Sequence, residues 1–306
     1  MLQTYISPVD HVFSLPSKIA CWIGLLCFML PGGASALDWS KAAATDIVLF
    51  LPGQVSWEQT LTAASHKGAA KIRAGQSCTE CHADEEADMG ASQASAVSWQ
   101  GRASVVVQVR AAVEAGVLHW QISGPAVDGK APGVALMLGN DALKSTAQAG
   151  CWAACHDDAP GMKSDSGQEL GKYLSRSRSK NTATGGGDSV RPQADLDAAL
   201  AAGEFLELIE IEASGEVERG YILDRFHEKQ VSGAGSIRLE GTRWIAEIQR
   251  PLAAAGAGEL TLVMGATYHF GIAVHDPGAK KNQHLVSLEH SVAVGEGSAA
   301  VVAAAQ

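Results

Sequence analysis

The chain has 306 residues, of which 46% are hydrophobic, and a formal net charge of −10 at pH 7. An acidic chain lacks the basic surface that nucleic acid requires, so a nucleic-acid-binding function is excluded and a partner with a basic docking surface is favoured. The length exceeds that of an average domain and indicates a main domain with an appendage.

The N-terminal segment is typical of a secretory signal peptide. Residues 19–30 form a short apolar run, which Lys18 precedes and the A-x-A site at residues 34–36 follows. A helix of this length spans about 18 Å, against about 30 Å of hydrocarbon, so a retained membrane anchor is disfavoured. We therefore expect residues 1–36 to be removed and the mature protein to be periplasmic or extracellular.

A helix is predicted over residues 56–75, because Ser56-Trp-Glu-Gln59 fits a capping box and Gly75 supplies a C-terminal stop. His66 lies opposite the apolar stripe of this helix, among small side chains that would let a flat ring approach its imidazole. We therefore prefer His66 as an axial ligand, although an exposed surface histidine remains the alternative.

The run Cys78-Thr-Glu-Cys81-His82 follows this helix. It is the pattern of covalent haem attachment, in which two thiols bond the vinyl groups of one haem and the adjacent histidine binds its iron. A zinc knuckle and a redox dithiol are the alternatives for this spacing. We expect residues 37–97 to form a small helical c-type haem module.

From about residue 98 the pattern changes to short β-type runs separated by Gly, Pro or charged turns. Residues 117–123 alternate apolar and polar side chains, and similar runs recur as far as residue 292. Many short strands without intervening amphipathic helices predict a mainly β fold, an antiparallel β-sandwich over residues 98–295. Residues 296–306 are expected to be a flexible tail.

A second cysteine cluster, Cys151-Trp-Ala-Ala-Cys155-His156, lies within this β-rich region. Its spacing is one residue longer, and alone it would suit a disulfide equally well. Both clusters, however, continue with acidic residues and a methionine after the histidine. This shared pattern favours a second covalent haem c, with His156 as its proximal ligand, over a disulfide or a non-covalent haem.

Histidines near the C-terminus are the leading sixth ligands of the second haem. His275 and His284 stand on predicted strands that could close over a site. Methionine is the alternative, and it would raise the reduction potential relative to two imidazoles. Met137 and Met264, on apolar strands, are expected to be core residues instead.

Several segments resemble a known family. CWAACHDDAPGM, GEFLELIEIE, RWIAEIQRPL, YHFGIAVHD and HLVSLEHSVAV are similar to the haem-binding domain of the gamma subunit of ethylbenzene dehydrogenase and its DMSO-dehydrogenase and chlorate-reductase relatives. The resemblance covers about residues 98–295 and implies a β-sandwich that passes electrons within a larger redox system. That family holds a b-type haem with Met and Lys ligands, and this chain departs from it by its second cysteine cluster.

These features predict an exported dihaem c-type cytochrome that carries electrons between redox proteins, such as membrane or periplasmic cytochromes. Nothing resembles a nucleophile triad or a phosphate-binding loop, so an enzyme is less favoured. Two alternatives remain: a haem subunit of a molybdenum oxidoreductase, and a haem enzyme with one open iron position that reduces a small molecule. Homo- or hetero-oligomerisation stays open.

Overall fold

The computed structural model describes residues 37–52, 60–62, 64, 66–93, 102–143, 150–153, 190–228, 234–276 and 284–306. The predicted signal peptide of residues 1–36 and the predicted boundary near residue 97 lie outside these ranges. Leu37–Gln306 form one compact unit.

The described residues hold thirteen strands and five α-helices. The strands are β1 Thr45–Phe50, β2 Ser104–Glu114, β3 Val117–Pro125, β4 Gly133–Gly139, β5 Leu206–Ile211, β6 Val217–Ile222, β7 Phe226–Glu228, β8 Ala234–Glu240, β9 Arg243–Pro251, β10 Thr267–His275, β11 His284–Val286, β12 His290–Val294 and β13 Val301–Ala305. The helices are α1 Ala69–Arg73, α2 Thr79–His82, α3 Glu86–Gln93, α4 Gly150–Ala153 and α5 Gln193–Ala201. Single 3-10 turns occur at Trp39–Lys41 and Asp141–Leu143.

The strands belong to one continuous sheet in the order β7-β6-β5-β4-β10-β11-β1-β2-β3-β9-β8. Two further strands lie beside the middle of this order: β12 pairs with β10 and β13, and β13 also pairs with β2. All described pairs are antiparallel except β12 with β13 and β13 with β2. The predicted mainly β class is therefore confirmed. The expected two-sheet sandwich is corrected to a single curled sheet, because β10 is hydrogen-bonded to β4 on one side and to β11 and β12 on the other. The curl brings β8 against β5 and β6.

The interior of the curl is filled by alternate side chains of the strands. On β10 the even-numbered side chains Tyr268, Phe270, Ile272 and Val274 are buried in this core, where Phe270 packs on Trp120 with 4.9 Å between ring centroids. Side chains alternate across a strand. The odd-numbered positions, His269 to His275, therefore lie on the other face of β10, which α4 covers.

A buried ion pair fastens two strands that are not neighbours in the sheet. Arg250 on β9 donates two hydrogen bonds of 2.9 Å to the carboxylate of Glu207 on β5, and both side chains are almost fully buried. The backbone N–H of Leu260 donates to the same carboxylate at 2.9 Å. The carboxylate is thus satisfied on several sides, which a buried charge requires.

Two terminal segments differ from expectation. The predicted helical module of residues 37–97 contributes β1 to the centre of the sheet, where Thr45–Phe50 pair with β2. The predicted flexible tail contains β13, because Val301 and Ala303 are buried and the strand fills the place between β12 and β2. Both segments are ordered by long-range pairing, which short apolar stretches do not reveal in sequence.

The predicted helix over residues 56–75 is also interrupted. His66 precedes α1 rather than lying within a helix, and residues 67 and 68 form a turn. Gly68 is the N-terminal cap of α1, and its lack of a side chain leaves room for the His66 ring. Residues 53–59, where the capping box was predicted, lie outside the described residues.

Candidate functional site

The helix α2 arranges the first cysteine cluster within one turn. The backbone N–H groups of Cys81 and His82 both donate to the carbonyl oxygen of Cys78, at 3.1 and 2.9 Å. Residues three and four apart lie on one side of a helix. Cys78, Cys81 and His82 therefore share one face of this turn, with Cys78 buried and the other two half-buried.

The structure places His66 beside His82. Their ring centroids are 6.1 Å apart, and the two ring planes are inclined by only 26°. The sequence prediction that His66 serves the first cluster is thus compatible with the fold, although His66 reaches the site from a turn and not from a helix face.

Each ring is fixed by a hydrogen bond through Nδ1. His66 donates from Nδ1 to the carbonyl oxygen of Thr60 at 2.9 Å, and His82 donates from Nδ1 to Oε2 of Glu85 at 2.9 Å. Among the described residues neither Nε2 atom has a hydrogen bond. Metal-ligating histidines almost always use their second nitrogen in this way, bonded to a carbonyl or a carboxylate.

The spacing of the rings suits an iron atom between them. A metal–imidazole bond is about 2 Å long, as for zinc, and the centre of the ring lies roughly 1 Å beyond the nitrogen, so two axial imidazoles have centroids about 6 Å apart. The observed 6.1 Å matches this requirement. A haem at this cluster would be held by Cys78 and Cys81 through thioether bonds and by the imidazoles of His82 and His66.

Gly68 is part of this geometry. A Cβ atom at this position would lie 2.9 Å from Cε1 and 3.2 Å from Nε2 of His66. Real Cβ atoms do not approach at the shorter of these distances, so a larger residue would displace the imidazole from its present position. The absence of a side chain at Gly68 keeps the Nε2 edge of the ring clear.

The second cluster is described only at its start. Cys151 and Trp152 are buried in α4, whereas Cys155, His156 and the nearby Met162 lie outside the described residues. The backbone N of Cys151 would lie 2.4 Å from a Cβ atom on Gly271, so α4 rests directly on the outer face of β10 at a point where only glycine fits.

The structure brings the two remaining candidate ligands together. His275 on β10 and His284 on β11 are cross-strand partners, with ring centroids 5.6 Å apart and planes at 87°. Nδ1 of His275 lies 2.7 Å from Oε1 of Glu210, a carboxylate that is 1% exposed. This arrangement repeats the Nδ1 contact of His82 with Glu85. It leaves Nε2 of His275 on the side of the ring away from the carboxylate.

The other described histidines have different surroundings. His269 bridges Glu289, at 2.6 Å, and Asp141, at 2.7 Å. The hydrogen bond to Glu289 raises the pKa of His269 to about 9, with a further contribution from Asp141 and against the effect of burial. Burial lowers the pKa of His290, whose ring lies 5.8 Å from Phe270, and also the pKa of His119. His227 stacks on Tyr221 with planes at 3°.

The candidate methionines differ from one another in exposure. Met137 is a core residue, as predicted, at 2% exposure. Met264 is 49% exposed and packs near Gly295, so the prediction that it is a core residue was wrong. The segment Glu259–Met264, which was expected to be a strand, runs as a loop and leaves Met264 outside the sheet.

Two negative findings concern only the described part of the chain. No helix there is both long and apolar enough to cross a bilayer. Within the same residues no three His, Cys, Asp or Glu side chains converge in the manner of a metal-ion site.

Several contributing residues were missed by sequence reasoning. Glu85 follows His82 at the i,i+3 spacing of helical neighbours and could have been found from that spacing. Glu210 and Glu289 had no such signal, because they meet their partners only through the pairing of distant strands.

Comparison with known proteins gives two extended similarities. Cytochrome c-552 from Stutzerimonas stutzeri is 30% identical over 284 residues, which cover 85% of this chain and 88% of that protein. The chain belongs to the family of this c-type cytochrome. Cytochrome c-551 from Rhodocyclus tenuis is a further member, 28% identical over 285 residues that cover 89% of this chain and all of that protein.

Both similarities cover more than four fifths of the chain. No protein-family model matches. Among solved structures, one described as a carbohydrate-binding protein from Bacteroides uniformis covers 66% of this chain and 77% of its own, at 10% identity and a TM-score of 0.27. A likeness of this size carries no argument about fold or function.

Proposed function

We propose that the chain is an exported dihaem c-type cytochrome that carries electrons between redox proteins. The observation that carries this proposal is the pairing of His66 with His82, at 6.1 Å between ring centroids, beside Cys78 and Cys81. The membership of a cytochrome c family supports the same class of function.

Four residues hold the first haem. Cys78 and Cys81 would form the thioether bonds, and His82 and His66 would supply the imidazole ligands of the iron. Haem iron, when bound, supplies reversible one-electron exchange. Thr60 and Glu85 fix both imidazoles through Nδ1, so neither ring has to reorient when the charge at the site changes. Two fixed imidazoles leave no open position for a substrate, which favours an electron carrier over a small-molecule reductase.

The second haem would be held by Cys151, Cys155 and His156, with His275 as the preferred further ligand. The contact between His275 and the buried carboxylate of Glu210 favours His275 over His284. His284 lies beside His275, on β11 next to β10, and is the alternative ligand.

The N-terminal signal predicts that the protein acts outside the cytoplasm, and its acidic charge predicts the kind of partner surface that it binds. An exported protein with a formal charge of −10 would dock with a redox partner through a basic surface of that partner. The resemblance to the gamma subunit of ethylbenzene dehydrogenase supports a second candidate, a haem subunit beside a molybdenum enzyme. Co-purification of a stoichiometric molybdenum partner from the native source would favour that candidate.

Intact mass of the mature, denatured protein tests the number of covalent haems. The protein is produced with haem-maturation machinery, and the expected mass corresponds to the chain from residue 37 with two haems. The Cys151→Ala/Cys155→Ala and Cys78→Ala/Cys81→Ala variants should each retain one. A single haem in the wild type, lost only when Cys78 and Cys81 are replaced, would contradict the dihaem proposal and leave the second cluster without covalent haem.

A further inference from the structure

We infer that Leu288–Glu289, the break between β11 and β12, is a common support for both cysteine clusters and holds the two haems close enough to interact directly. This inference rests on the proposed dihaem function. It adds a spatial relation between the haems that neither cluster alone predicts.

The first cluster touches this break through Thr79, the residue that follows Cys78. Oγ1 of Thr79 lies 3.1 Å from the backbone carbonyl oxygen of Glu289 and 3.1 Å from its Oε2 atom. A hydroxyl group carries one donor hydrogen, which these two oxygens share. The N-terminal end of the attachment helix α2 is therefore tied to Glu289 by both backbone and side chain.

The second cluster touches the same break through Gly150, the residue that precedes Cys151. A Cβ atom on Gly150 would lie 2.7 Å from the carbonyl carbon and oxygen of Leu288 and 2.8 Å from the backbone N of Glu289. The backbone of α4 thus lies in direct contact with the backbone of the break. Gly271 of β10 allows an equally close approach to Cys151.

Together these contacts bound the separation of the two clusters. Glu289 meets Thr79 with its carbonyl oxygen and Gly150 with its backbone nitrogen, and those two atoms of one residue lie roughly 3 Å apart. Adding the 3.1 Å to Oγ1 of Thr79 and the 2.8 Å to the Cβ position of Gly150 places that oxygen and that position within about 9 Å of each other. Cys78 and Cys151 are the chain neighbours of Thr79 and Gly150, so the two covalent attachments start from adjacent points on the protein.

The break itself is held in place by its own bonds. Ser287 donates its backbone N–H to the carbonyl oxygen of Ile272 at 2.8 Å and accepts the N–H of Ile272 on Oγ at 2.9 Å. The buried carboxylate of Glu289 is paired with His269 at 2.6 Å. Because these bonds fix Leu288–Glu289 in the sheet, the distance between the two cysteine clusters that contact it is also fixed.

A potentiometric titration followed by low-temperature electron paramagnetic resonance tests the inference on the wild-type holoprotein. Intact mass is measured first, so that a protein with one haem, which contradicts the proposed function, is recognised separately. In a protein with two haems, reduction of one iron should narrow the signal of the remaining ferric haem, because its paramagnetic neighbour is lost. A remaining signal unchanged by reduction of the other haem would overturn the inference while leaving the dihaem function intact.

A substitution at the contact provides an independent measurement. Gly150→Ala places a Cβ atom against Leu288, and Gly241→Ala is the matched control because Gly241 has nearly the same positive φ, +61° against +59°, with no atom within 4 Å of its Cβ position. In variants that retain both haems, we expect reduction of one iron to narrow the signal of the remaining ferric haem less in Gly150→Ala than in the wild type. In Gly241→Ala the signal should narrow as much as in the wild type. Equal narrowing in the two variants would contradict the assigned role of the break. If Gly150→Ala does not fold, the wild-type titration decides alone.

Discussion

The imidazole rings of His66 and His82 lie with their centroids 6.1 Å apart and their planes inclined by 26°. Sixteen positions separate the two residues in the chain, and each ring is fixed by its own Nδ1 contact. Two rings at this spacing, each with Nε2 on the side of the ring away from its hydrogen-bonding partner, are compatible with the two-histidine haem site proposed above.

Gly68→Ala should weaken the bond of His66 to the first haem. The new Cβ atom would lie 2.9 Å from Cε1 of His66, so the ring must move away from its position opposite His82. We expect the low-spin optical spectrum of this haem to acquire a high-spin component, with the covalent haem count unchanged. Gly256→Ala is the control, since no atom lies within 4 Å of its Cβ position. Identical low-spin spectra for wild type and both variants would contradict a role of Gly68 in ligand placement.

Glu85→Gln should raise the reduction potential of the first haem. The carboxylate that accepts from Nδ1 of His82 makes the ring a stronger donor to ferric iron, and an amide does so less. Because the pair is partly exposed, the expected effect is small, about 10–40 mV, equivalent to about 0.2–1 kcal/mol.

Spectroelectrochemical titration measures that potential. Asp88→Asn, also in the segment after His82, removes the same charge from an exposed side chain and controls for general electrostatics. An equal shift in both variants would show that charge alone, and not the hydrogen bond to His82, sets the difference.

The mainly β class of the fold could be predicted from sequence, because alternating side chains are a local pattern. Alternating residues define β3 and β10, and the spacing of Cys78, Cys81 and His82 predicts a thioether site. The contacts of Glu210 with His275 and of Glu289 with Thr79 could not be predicted, because strand order decides them. The strand β13 was missed for the same reason: its small side chains pair in the sheet only once β2 and β12 are in place.

The stability contribution of His269 should depend on pH. Its hydrogen bonds to Glu289 and Asp141 raise the pKa of His269 to about 9 in the folded protein, against about 6.5 when unfolded. The contribution is therefore complete below about pH 6.5 and is lost as the pH rises through about 9.

Denaturant unfolding between pH 6 and pH 9.5 measures this dependence. The wild type should lose on the order of 2 kcal/mol of unfolding free energy that His269→Gln does not lose over the same interval. Parallel pH profiles of the two proteins would contradict the ion-pair assignment.

The pair of Arg250 and Glu207 should be costly to break on one side only. Arg250→Met leaves the Glu207 carboxylate buried without its cation, at an expected cost of about 3–5 kcal/mol. Replacing both residues, as Arg250→Met/Glu207→Leu, should restore part of that loss because no buried charge remains. Urea titrations of the three proteins measure the difference, and a double variant less stable than the single variant would argue against this account.

The position of His66 opposite His82 on one iron is tested most directly by chemical rescue in a single-haem protein. In the Cys151→Ala/Cys155→Ala background only the first haem remains, so its spin state can be read without overlap. The account predicts a low-spin ferric haem in this protein, a high-spin haem after His66→Ala is added, and a return to low spin when free imidazole fills the vacated position. A haem that stays low-spin in the His66→Ala protein before imidazole is added would contradict the assignment, because another side chain would then be the sixth ligand.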